Sequence, residues 1–90
     1  MCLAIPGQII EMLPEHPHLA TVDVSGVRRS VNIMMLAAEA VQPGDWVLIH
    51  VGFAMAKIDA QEAQASLALL EEIGQAYRDE IKAFEDSRIE

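Results

Sequence analysis

Two side chains stand out as able to do chemistry in this 90-residue chain: Cys2, its single cysteine, and His50, which sits inside the apolar run "WVLIHV". A cysteine is one of the residue types most often buried, whereas chain ends are where order is weakest. Cys2 is therefore either a small terminal plug or a reagent. Removal of Met1, usual before a small residue, leaves a free amine beside the thiol. That amine titrates at about 8, and its positive charge favours the thiolate. A thiolate is both a nucleophile and a soft metal ligand. Ile5 precedes Pro6 and is pushed into an extended conformation, so the arm carrying Cys2 is short and stiff.

His50 belongs to "DWVLIHVGFAM", where strand alternation puts Trp46, Leu48 and His50 on one face and Val47, Ile49 and Val51 on the other. It is either a half-buried histidine hydrogen-bonded to backbone or a ligand, since imidazole suits iron, nickel, copper and zinc. Gly52, two residues on, allows a backbone or a ligand to approach closely. His16 and His18 flank Pro17 in what reads as a polar turn, at most a weak metal pair. Met12, Met34, Met35 and Met55 are expected to fill gaps in the core rather than serve as soft ligands. Arg28 and Arg29 read as a solvated strand edge, or as a contact for a partner's carboxylate.

A closed structural metal site needs four protein ligands, and this chain offers no convincing four. One Cys and one His hold a metal weakly unless it arrives with other ligands, which is the logic of a carrier that must let go. No Gly-flanked serine and no phosphate loop supports a catalytic alternative.

The elements that must position these residues are short. Segments around "LAIPGQIIEML", "LATVDVS", "VRRSVNI", "WVLIHV" and "FAMAKI" read as five strands, separated by "PEHPH", Ser25-Gly26, "QPGD" and Gly52. The first is expected to bend or bulge at Pro6-Gly7. "MMLAAEA" reads as a helical turn. Five strands in under sixty residues imply a mainly β chain, a small closed or half-closed barrel over residues 1–58. Residues 59–90 change period. Asp59 with Glu62 resembles a capping box, and Ala63, Leu67, Leu70, Ile73, Tyr77, Ile81 and Phe84 recur on one helical face. Gly74 costs about 1 kcal/mol within that helix, which is expected to bend or fray there.

The apolar fraction of 52% is that of a single globular domain. With one cysteine no intramolecular disulfide forms; there is no signal-peptide pattern, and no apolar run reaches the ~18 residues of a membrane span. The expected location is the cytoplasm, with no membrane partner. The formal charge of -8 is uneven: residues 59–90 hold nine acids against Arg78, Lys82 and Arg88. Proteins that bind nucleic acid neutralise phosphates with clustered bases, so no nucleic-acid partner is expected.

"MCLAIPGQI" at the start, "GDWVLIHVGFA" in the middle and a short acidic helix after it resemble the HypC/HupF family of NiFe-hydrogenase assembly chaperones, over roughly residues 1–70. The resemblance implies an OB-like five-stranded barrel with a C-terminal helix, and a non-enzymatic role. It implies work with a HypD-type iron–sulfur partner, and delivery of an Fe(CN)2CO group to the precursor of the hydrogenase large subunit. It places the family's N-terminal cysteine on Cys2 and its motif histidine on His50 as transient iron ligands, with Cys2, Pro6, Gly52 and Phe53 at partner contacts. Where a cysteine is expected in some members before Gly26, this chain has Ser25, and residues beyond about Ala76 follow no family pattern. Two other readings stand beside it. One is an OB-type nucleic-acid module, which the acidic charge disfavours; the other is an enzyme using Cys2 as an N-terminal nucleophile.

Overall fold

The computed structural model describes residues 4–86. Five strands close into a barrel: β1 (Ile5–Met12), β2 (Leu19–Val24), β3 (Val27–Asn32), β4 (Trp46–His50) and β5 (Phe53–Ile58). A 3-10 helix (Met34–Glu39) links β3 to β4, and two helices follow, α1 (Ala60–Ile73) and α2 (Gln75–Glu85). Around the barrel the order is β1-β2-β3-β5-β4, antiparallel throughout except for the β3–β5 contact, which is parallel. This is the closure of an OB-type barrel, and it leaves no free sheet edge. No helix among the described residues is long and apolar enough to cross a membrane.

β1 serves two neighbours. Its first half pairs with β4, Ile5 opposite Ile49 and Gln8 opposite Trp46. Its second half pairs with β2, Met12 opposite Ala20. The irregularity that lets it turn lies at Ile9–Glu11, not at Pro6-Gly7 as expected from the Pro-Gly pair. The reason lies in the core. Gly7 faces inward, and a Cβ there would stand 2.6 Å from Val22 Cγ1, 2.7 Å from Ile49 Cδ1 and 2.9 Å from Val24 Cγ2. Gly7 thus marks a close approach of packed side chains, while the strand runs straight through it. Gly7→Ala is expected to lower stability by about 1–3 kcal/mol, the usual cost of overpacking, read from the urea midpoint at unchanged slope.

The interior is aliphatic, built from Ile5, Ile9, Val22, Val24, Val31, Val47, Ile49 and Ala54, with Leu36 of the 3-10 helix buried beside them. Leu70, Tyr77 and Phe84 belong to the same cluster, so both helices pack on the barrel of their own chain. Asp59 caps α1 as its position implied, Oδ1 accepting from the Glu62 N–H at 2.7 Å. The single helix expected beyond Asp59 is two. At Gly74 the backbone turns to φ 71°, and the Gly74 N–H closes α1 on the Leu70 carbonyl. The break also explains Ile73, expected on the buried stripe but 46% exposed: it is the last residue before the chain changes direction. Tyr77 Oη and Ser25 Oγ share a hydrogen bond of 2.8 Å, and Arg29 Nε donates to the Glu85 carbonyl at 2.7 Å, fastening α2 to β3 and to the β2–β3 turn. Arg29 stays exposed, as a solvated residue should, while its guanidinium serves the last turn of α2. Arg28 pairs with Asp23 at 3.2 Å, an exposed ion pair that contributes little.

Candidate metal-ligand site at the barrel rim

His50 closes β4, and its position follows from three backbone relations. Across the two-residue turn Val51-Gly52 it pairs directly with Phe53, so both side chains lie on the same outward face. Gly52 turns at φ 80° and its carbonyl accepts from the Asn32 N–H at 3.0 Å, tying the turn to β3. Val51 stands at φ 50°, a conformation a β-branched residue adopts only under constraint, at a cost of order 1–3 kcal/mol. The turn is held there because β4, β5 and β3 all converge on it.

The third relation links His50 to the start of the chain. β1 runs antiparallel to β4 with Ile5 opposite Ile49, so the step from Ile5 back to Ala4 runs alongside His50. Cys2 lies outside the described residues, two positions before exposed Ala4. The His50 side chain is half-buried and makes no hydrogen bond or ion pair among the described residues. Among the described residues it has no backbone partner, and it stands beside the start of β1.

The other candidates fall elsewhere. Pro6 is fully buried, on the face of β1 opposite to inward Gly7. Gly52 is buried as well, while Phe53 is 40% exposed. His16 and His18 lie in the exposed loop, rings edge to face with centroids 6.2 Å apart. No group of three or more His, Cys, Asp or Glu among the described residues could hold a metal. A polar groove lined by Gln8, Trp46, Lys57 and Asp59 lies at the far end of β4, partly closed by the Lys57–Asp45 ion pair at 3.5 Å.

The methionines depart from expectation. Met12 is half-buried, but Met34, Met35 and Met55 are exposed. Met55 is turned out by strand alternation, on the same side as Phe53 and Lys57, at the point where the β4–β5 register slips: Leu48 faces Ala56 and Ile49 faces Ala54. Met34 and Met35 sit on the solvent side of the 3-10 helix, whose inward position is taken by Leu36. No periodicity in "NIMMLAAEA" distinguishes these positions. The only signal was the repetition of large flexible side chains near a glycine turn.

The described residues thus form a small closed barrel with His50 at one rim, beside the start of β1. The chain belongs to the HupF/HypC family, whose model matches residues 1–70. It is 46% identical over 78 residues to the hydrogenase maturation factor HypC of Rhodobacter capsulatus, covering 84% of this chain and 81% of that one. To the hydrogenase maturation factor HypC of Helicobacter hepaticus it is 43% identical over 90 residues, all of this chain and 96% of the relative. The hydrogenase maturation factor HybG of Escherichia coli K12 is 43% identical over 75 residues, 81% of this chain and 92% of its own.

Proposed function

We propose that this protein is a cytoplasmic maturation chaperone for a NiFe hydrogenase, which carries an Fe(CN)2CO group from a HypD-type iron–sulfur partner to the precursor of the hydrogenase large subunit. It is a carrier and turns over no substrate of its own. The observation that carries this reading is the pairing of β1 with β4, which sets the start of β1 alongside His50, a ring with no hydrogen-bond partner among the described residues. Covalent length alone keeps the Cys2 backbone within about 7 Å of Ala4. A thiolate and an imidazole are both suitable donors to iron, and two of them make a weak site by themselves. Weakness suits a carrier. Iron that arrives with cyanide and carbonyl already bound needs few protein ligands, and transfer to an acceptor offering several thiolates is downhill.

The test is infrared spectroscopy in the triple-bond region, with iron analysis, on protein purified anaerobically after co-expression with the HypD-type partner. Cyanide and carbonyl bands with stoichiometric iron are expected. His50→Ala is expected to lower bound iron at least about threefold while the melting temperature stays close to that of the parent, because an outward, half-buried ring leaves little cavity. A large loss of stability with iron retained would assign His50 to packing. A parent complex free of iron and of bands would leave the protein a docking chaperone only.

A further inference from the structure

Three methionine sulfurs are carried on open side chains at one end of the barrel. Met34 is 64% exposed, Met35 59% and Met55 46%, whereas Met12 is half-buried and packs against the core. The backbone gathers the open three around the His50 rim. Phe53 stands opposite both His50 and Asn32, and Met55 follows two residues on, along the same outward face of β5. The Asn32 side chain accepts from the Met34 N–H at 2.9 Å, and the 3-10 helix that bears Met34 and Met35 packs along β5.

An open thioether is a substrate for peroxide. The sulfur lone pair takes one peroxide oxygen, the O–O bond breaks as the S–O bond forms, and the departing hydroxide collects the proton and leaves as water. Sulfur loses two electrons and hydrogen peroxide gains them, giving methionine sulfoxide. Exposure orders the reaction, so Met34, Met35 and Met55 precede Met12. The product is polar where the side chain was apolar. In the free protein water satisfies the new oxygen, and none of the three belongs to the buried core, so the fold is expected to survive. A partner that closes over His50 has either to supply a donor or to bury that oxygen unpaired, which is costly. Sulfoxide reductases restore the thioether with electrons from thiols, so the change is reversible.

We propose that Met34, Met35 and Met55 form a peroxide-sensitive modification site, whose oxidation to sulfoxides reversibly stops this protein from being loaded with iron. The inference rests on the carrier reading above. To test it, the free chain is treated with graded hydrogen peroxide and then with dithiothreitol, later removed, which reverses mild oxidation of Cys2 and leaves sulfoxides in place. Peptide mass spectrometry locates each added oxygen. Met34, Met35 and Met55 are expected to be oxidised at a dose that leaves most Met12 intact, in a protein that melts with the parent. Incubated anaerobically with the iron-charged HypD-type partner, it is expected to acquire at least about fivefold less iron than the untreated chain. Treatment with methionine sulfoxide reductases is expected to restore uptake. The near volume-conserving Met34→Leu/Met35→Leu/Met55→Leu variant is expected to acquire iron equally before and after peroxide.

Oxidation of Met12 in step with the other three would reject exposure as the selector and overturn the site. Unfolding of the oxidised chain would make the effect damage and overturn the switch. Unchanged iron uptake after oxidation, or equal loss in the leucine variant, overturns it too, while the carrier reading stands. If the leucine variant does not fold, the reductases decide: uptake that they fail to restore rejects the methionines as the cause. An untreated chain that takes up no iron fails the carrier reading, and the switch with it.

Discussion

Cys2→Ala protein, co-expressed with the HypD-type partner, is expected to show no cyanide or carbonyl bands and to leave the hydrogenase unmatured, a complete functional loss from one sulfur atom. Its stability is expected to stay within about 0.5 kcal/mol of the parent, since the hydrophobic cluster of the described residues begins at Ile5. The two measurements separate the explanations. Loss of bands at unchanged melting assigns the thiol to the metal group or to the partner that presents it. Retained bands and full maturation would reject Cys2 as a ligand and return it to the status of a terminal residue. Cys2 is the only thiol of the chain, so alkylation of the parent is expected to reproduce the variant without ambiguity of site.

Leu70→Ala is expected to cost about 2–5 kcal/mol, the range for truncating a buried leucine to alanine. Leu70 is 7% exposed, belongs to the common core of barrel and helices, and its carbonyl receives the closing hydrogen bond of α1 from Gly74. In a domain of this size each kcal/mol moves the melting temperature by about 4–8 °C, so a loss of roughly 10 °C or more is predicted from thermal unfolding. Iron binding measured well below the new midpoint is expected to persist, because Leu70 belongs to the buried core and not to the exposed β4–β5 turn beside His50. A Leu70→Ala protein with unchanged melting but lost complex formation would place this face against a partner instead.

Much of the architecture was legible because each strand carries its own punctuation. "LATVDVS" alternates and ends on Ser25-Gly26, and "WVLIHV" is a continuous apolar run that stops at Gly52. The cap at Asp59 was equally local. What escaped depends on relations between distant segments. The bulge at Ile9–Glu11 exists because β1 must leave β4 for β2, which Pro6-Gly7 gives no hint of. Pro6 is conspicuous in the sequence yet buried, and the outward methionines follow from the phase of alternation along β5 and from Leu36 taking the inward position of the 3-10 helix. For the site, "HVGF" marked His50 by composition. That β1 starts beside it is a fact of strand pairing, and spacing alone could not reveal it. Ile73 failed the helical stripe because one glycine resets the phase.

The parallel contact between β3 and β5 is a single residue pair, Asn32 with Phe53, backed by the Asn32 N–H bond to Gly52. Every other junction of the barrel is a ladder of four or more pairs. In the terms of amide exchange, this seam is expected to open more readily than the ladders, its protons exchanging ahead of those in β1–β2 and β2–β3. A barrel that opens first at the rim bearing His50 would give a carrier the compliance that release demands.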